Sequence, residues 1–171
     1  MPGYVIHLAV AEEYLKKHKH KKEEYNEFIN GVIFPDSTKN KQETHYGEKS
    51  SLSNLYEFLK SNKLDTSFNR GYFLHLLTDY LFYNKYIDRM SNDMYNDYDI
   101  LNKILIVKYD VKLPESVKAS VFFKDGDLVI LSLEIVERMI DDISDMDLDD
   151  VEKEVYKDPI KWTTMRKLKR F

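Results

Sequence analysis

Apolar residues recur at helical spacing along most of this chain, and the pattern predicts a succession of helices. Residues 4–16 read as the first, with Val10, Ala11, Tyr14 and Leu15 continuing a face that begins at His7. Residues 16–24, Lys-Lys-His-Lys-His-Lys-Lys-Glu-Glu, are a charged run expected to be a solvated helix end or loop, with His18 and His20 exposed. A short second helix is expected from Glu23 to Asn30, with Tyr25, Phe28 and Ile29 at helical spacing. Residues 37–50 are polar and irregular. Helical pattern returns at Leu52, Leu55, Tyr56 and Leu59 and stops at Ser61-Asn62. The strongest helix follows, capped by Thr66 or Ser67 and carrying apolar residues from Phe68 to Ile87. Another covers 93–108.

After Pro114 the pattern admits two readings. Asp125-Gly126 between apolar runs is a hairpin signal. Asp127 is also a good N-cap for a helix through Leu131, Ile135, Met139 and Ile143. The helix is preferred, because its period persists beyond strand length.

Composition agrees with the pattern. Of 171 residues, 43% are hydrophobic and 33% charged, enough for a core, and five glycines and four prolines are few for a many-turned β fold. The expectation is an all-α fold: a single-domain helical bundle of about six to eight helices across 1–171. The absence of cysteine excludes disulfides, thiolate-ligated zinc and thiol nucleophiles. A net charge of −4 argues against a broad nucleic-acid surface. No stretch approaches the ~18 apolar residues of a membrane span. The first residues lack a basic leader pattern, so a cytoplasmic location is expected. Residues 160–171 are basic around the lone Trp162 and read as an exposed, frayed tail.

The candidate chemistry lies in histidines and aspartates. His75 and Asp79 are four apart within an apolar helix, which places both on one face, a turn apart. An aspartate in such surroundings must be paired, coordinated or neutralised. Asp36 follows Pro35, His45 lies nine residues later, and His7 sits on the inner face of the first helix. Taken singly, these are also an ordinary turn acid, a surface histidine and a core histidine.

Taken in order, Met1-Pro2-Gly3, His7, Gly31 with Pro35-Asp36, Thr44-His45-Tyr46, and Gly71-Tyr72-Phe73-Leu74-His75-Leu76-Leu77-Thr78-Asp79 resemble the zinc-dependent phospholipase C family, which is related to the zinc-dependent single-strand nucleases. The resemblance covers residues 1–90, leaving 91–171 to complete the bundle. It implies a metal site between helices in which Asp36, His45, His75 and Asp79 hold one zinc, with His7 beside a second ion and Asp79 able to bridge. It implies hydrolysis of a phosphate ester by a metal-activated water that Asp36 orients or deprotonates.

Known three-metal members use further histidines and an acid downstream of this helix, whereas here no histidine follows His75. One zinc is therefore the expectation, and two if Asp97 or Asp99 serves as a ligand rather than as a solvated helix-end acid. The implied substrate is a small phosphate ester or phospholipid-type molecule, drawn by local lysines such as Lys39 and Lys41. Two other readings stay open: a non-catalytic metal-binding helical protein, and a phosphohydrolase using another metal. The second is weakened because no histidine is followed directly by aspartate.

Overall fold

The computed structural model describes residues 3–49, 52–163 and 168–170. Met1 and Pro2 of the N-terminal motif, and Arg166 and Lys167 of the basic tail, lie outside them. Helix α1 (Tyr4–Lys17) is buried from Val5 to Glu12 and again at Tyr14, as befits a helix apolar on nearly every side. Helix α2 (Tyr25–Ile33) starts where the Glu24 carboxylate accepts the Asn26 and Glu27 amides. A 3₁₀ turn (Phe34–Asp36) follows it directly. Helices α3 (Lys41–His45) and α4 (Leu55–Ser61) are short and capped by Asn40 and Asn54.

Helix α5 (Ser67–Leu81), capped by the Thr66 hydroxyl, is buried continuously from Arg70 to Tyr80. A π-helical turn (Phe82–Tyr86) ends it, so the predicted run to Ile87 is one element with a changed winding. Helices α6 (Asp93–Lys108), α7 (Glu115–Lys118), α8 (Leu133–Asp145) and α9 (Leu148–Lys157) complete the all-α fold. The only sheet among the described residues is a two-residue parallel pair, β1 (Arg89–Met90) with β2 (Lys169–Arg170). One apolar core joins residues of α1, α2, α4, α5, α6, α8 and α9. No described helix is long and apolar enough to cross a membrane.

Helices α2 and α5 cross with their backbones touching. A Cβ at Gly31 would stand 2.0 Å from the Phe68 carbonyl oxygen, and one at Gly71 2.0 Å from that of Phe28. Only glycine permits that approach, and it sets where the histidine of α5 meets α2.

Four expectations are corrected. The segment 121–131 is neither helix nor hairpin: α8 begins later, capped by Ser132, because the buried Asp97 carboxylate holds 129–131 as a loop. His18 is buried, its ring stacked 4.1 Å from Tyr14 and its Nε2 2.9 Å from the Ser144 carbonyl. Trp162 is only 3% exposed, packed 5.0 Å from the Tyr80 ring while the Tyr80 hydroxyl donates to the Lys161 carbonyl. Asp97 is wholly buried rather than solvated.

Candidate metal centre

Four segments deliver side chains to one point. His7 comes from α1, Asp36 from the 3₁₀ turn after α2, His45 from the last position of α3, and His75 with Asp79 from α5. Phe34 keeps helical backbone angles, and Pro35, which has no N–H to donate, ends the α-helical hydrogen bonding and passes the chain into the 3₁₀ turn. The Ser37 hydroxyl closes the resulting turn onto the Ile33 carbonyl at 2.7 Å. Tyr4 donates to the Asp36 carbonyl at 2.8 Å, and the Thr44 hydroxyl to the Pro35 carbonyl at 2.8 Å. Tyr72 donates to the Thr44 carbonyl, tying α3 to α5.

The imidazoles are oriented from behind. His75 Nδ1 lies 2.7 Å from the Val32 carbonyl, and His45 Nδ1 2.7 Å from the Lys41 carbonyl. A carbonyl only accepts, so each Nδ1 carries hydrogen and each Nε2 faces the centre. Backbone-held imidazoles of this kind are the usual outer support of histidine metal ligands. The two Nε2 atoms are 3.3 Å apart, a separation that needs a proton or a metal cation between their lone pairs.

Asp79 supplies both oxygens. Its Oδ2 is 3.1 Å from His45 Nε2 and 3.2 Å from His75 Nε2, and its Oδ1 is 3.0 Å from His7 Nε2. Asp36 Oδ1 is 3.4 Å from His45 Nε2, and its Oδ2 is 3.7 Å from His75 Nε2 and 4.0 Å from His7 Nε2. The His7 ring stacks on His75 with centroids 3.7 Å apart. The His7–Asp79 approach is short enough for a hydrogen bond but off its direction. Both His7 nitrogens, Asp79 Oδ1 and Asp36 Oδ1 are buried without a hydrogen-bond partner among the described residues. Buried polar atoms are almost always satisfied, so three of these facing one point, His7 Nε2, Asp79 Oδ1 and Asp36 Oδ1, fit a cation.

Electrostatics agree. Burial works to raise the Asp79 carboxyl, yet His75 and His7 hold it well below the usual carboxylate range. Burial likewise opposes ionisation of Asp36, and the His75 ring, with that of His45 close beside it, outweighs it. Burial holds His7 below its ordinary value, reinforced by His75. Burial pulls His45 down, but the carboxylates of Asp36 and Asp79 beside its Nε2 carry it up to about 9. With His45 protonated at neutral pH and both acids ionised, a proton occupies the place a metal cation would take.

These buried His/Asp groups can hold a metal ion. Ligand atoms of His7, His75 and Asp79, and those of Asp36, His45 and His75, lie within 4.8 Å of one another in each set. His75 belongs to both sets and has one free nitrogen, so the five residues form one centre rather than two separate ones. Imidazole nitrogen and carboxylate oxygen without sulfur suit zinc and also other first-row divalent ions.

Two other groups do not extend it. The Asp97 carboxylate accepts the amides of Val129, Ile130 and Leu131 at 3.0, 2.7 and 2.8 Å, and Asp99 lies 3.7 Å from Lys124. His18, His20 and Asp147 also gather ligand atoms. However, His18 Nε2 is engaged by Ser144, and Asp147 caps α9 and pairs with Lys21 at 2.9 Å.

Sequence reasoning did not reach Ser53, whose hydroxyl is 3.4 Å from Asp79 Oδ2, or Tyr98, a phenol buried near the centre with an unpartnered hydroxyl. Burial, then Tyr83 and Asp79, push the Tyr98 ionisation well above its ordinary value, so it stays a neutral donor. No local pattern marks either residue. Comparison of the chain with protein-family models, curated proteins and solved structures gives no match, so the reading of this centre rests on its own geometry and chemistry.

Proposed function

We propose that this chain is a zinc-dependent hydrolase of phosphate esters, similar in its chemistry to phospholipase C. The observation that carries the reading is the convergence of three Nε2 atoms and two carboxylates, with three of the polar atoms facing that point left without hydrogen-bond partners among the described residues. The ordered motifs shared with the zinc-dependent phospholipase C family support it. His45, His75, Asp36 and Asp79 would hold one ion, with His7 beside it on Asp79 Oδ1. A divalent cation so held would lower the pKa of a bound water toward about 7 and neutralise charge on a phosphoryl oxygen.

The remaining work falls to the chain. Asp36 is the outermost of the five and lines an open cleft, so its carboxylate is the one placed to accept a proton from the attacking water. The water oxygen forms a bond to phosphorus as the bond to the leaving alcohol breaks. Asp36 then passes the proton to the leaving oxygen, giving an alcohol and a phosphate one ester poorer. Asp79, wholly buried and ionised, holds His7, His45 and His75 in register.

The test is metal content by mass spectrometry on untagged protein beside His75→Ala, followed by turnover on a panel of phosphate mono- and diesters. One or two zinc ions, lost in the variant, with chelator-sensitive hydrolysis is the expected result. Absence of metal after incubation with zinc or manganese overturns the centre. Metal without turnover makes the chain a non-catalytic metal-binding protein.

A further inference from the structure

A second cleft, of about 450 Å³, has none of the five candidate metal ligands in its lining. The 3₁₀ turn after α2 serves both places: Asp36 goes to the metal centre and Phe34 to this cleft. The volume is that of a small-molecule site. Its floor is aromatic. Phe34 is 40% exposed, and its ring centroid lies 5.6 Å from those of both Phe68 and Tyr72, at interplanar angles of 59° and 54°. Tyr46 adds a fourth ring, 6.3 Å from Tyr72 and inclined at 60°. Its backbone is left-handed, with φ at 60°, which is costly for a residue with a large side chain. The Asn62 amide donates to its hydroxyl at 3.0 Å.

The polar groups narrow the ligand. No Lys, Arg or His stands among the described lining residues, and Glu43 is the one acid there, so an anion is disfavoured. The side-chain nitrogen of Asn62 donates to Tyr46 and to the Phe58 carbonyl, and that of Asn69 to the Lys63 carbonyl. The side-chain carbonyl oxygens of both accept no hydrogen bond among the described residues. Accepting oxygens call for a ligand with hydrogens to give: hydroxyls, an ammonium or the amino edge of a base. Ring geometry separates these three. A flat base stacks best between parallel faces, and the rings here are inclined to one another by 54° to 79°. An ammonium is best held by rings standing apart around it, whereas Phe34, Phe68 and Tyr72 are packed against one another. A pyranose is puckered, offers C–H groups on one face to the electron-rich side of an aromatic ring, and carries hydroxyls around its edge.

We propose that this cleft binds a neutral pyranose sugar, its C–H face over Phe34 and its hydroxyls donating to the side-chain carbonyls of Asn62 and Asn69. The site goes beyond the hydrolase reading and does not rest on it, because none of its contacts involves a metal.

The experiment is an NMR titration of the isotope-labelled full chain with the methyl pyranosides of glucose, galactose, mannose and N-acetylglucosamine. At least one is expected to saturate with a Kd of about 1 mM, the scale for a ligand of about a dozen non-hydrogen atoms, and to shift the side-chain amide signals of Asn62 and Asn69. Phe34 is exposed, so replacing it spares the core. Binding should weaken about tenfold in Phe34→Leu, which keeps apolar bulk and loses the ring, and stay close to wild type in Phe34→Tyr. Chelator-treated protein should bind the sugar equally well, which keeps this result separate from any failure of the hydrolase reading. Loss of binding on chelation overturns the inference by moving the sugar to the metal centre. Failure of every sugar to bind also overturns it, as does an affinity unchanged in Phe34→Leu. Saturation by adenosine or tetramethylammonium in place of the sugars overturns the assignment in favour of a flat base or an organic cation.

Discussion

Replacing Gly71 by alanine tests the link between helix packing and the metal centre. In an exposed helix this change stabilises by about 0.8–1.0 kcal/mol, because alanine is the better helix former. Here the added methyl carbon would stand 2.0 Å from the Phe28 carbonyl oxygen, whereas an ordinary carbon–oxygen contact is about 3.3 Å. Helices α2 and α5 must separate by the difference, about 1.3 Å. The same displacement applied to His75 Nδ1 and the Val32 carbonyl, now 2.7 Å apart, carries them to about 4 Å, past the ~3.2 Å reach of a hydrogen bond. Overpacking costs about 1–3 kcal/mol, and a buried carbonyl left unpaired about 1–3 more. After the propensity gain is subtracted, a loss of about 3 kcal/mol remains, which for a chain of this length lowers Tm by roughly 6–12 °C. With His75 no longer oriented, metal affinity should fall about 10- to 100-fold. Thermal unfolding of the metal-free protein and zinc competition against a chromophoric chelator measure the two effects separately. A variant with an unchanged or raised Tm, or one that binds zinc as tightly as wild type, would refute the argument that backbone contact at Gly71 positions His75.

Three other outcomes are expected. Asp97→Ala orphans three amides of the 129–131 loop at roughly 1 kcal/mol or more each, so a stability loss of about 3 kcal/mol should accompany unchanged metal content; reduced metal content would return Asp97 to the centre. Asp149, bonded to Arg70, has its carboxyl lowered to about 2 against about 3.9 in an unfolded chain. Its stabilisation is thus complete above about pH 4 and lost as the pH falls through about 2, and urea midpoints across that window should decline less steeply in Asp149→Asn. His45, held at about 9, must release its proton to present Nε2 to a metal, so zinc binding at pH 7 should eject about one proton. Calorimetry in buffers of differing ionisation enthalpy reads this directly, and buffer-independent heats would contradict the assignment of that proton.

The pattern of apolar residues was enough to place α1, α2, α5 and α6, because one buried face spaces the apolar residues of α2 and α6 at the helical period, while α1 and α5, buried on nearly every side, write a continuous apolar run. The same local logic picked out His75 with Asp79, since a four-residue spacing on a helix is already a geometry. Caps such as Thr66 were legible for the same reason. Segment 121–131 was not, because what shapes it is the Asp97 carboxylate, whose three bonds reach across 32 to 34 residues. Nor was burial of His18 and Trp162, which depends on Ser144, Tyr14 and Tyr80 being brought alongside them.

The metal centre divides the same way. Residue types and order were enough to nominate His7, Asp36, His45, His75 and Asp79 as candidates. Which nitrogen of each ring faces inward, which carboxylate oxygen meets which histidine, and whether one centre or two is formed were decided by tertiary structure. Those choices depend on carbonyls of Val32 and Lys41 and on a glycine-mediated helix crossing. Backbone carbonyls are present at every residue and so leave no mark in a sequence, and only the folded chain selects the two that aim the imidazoles.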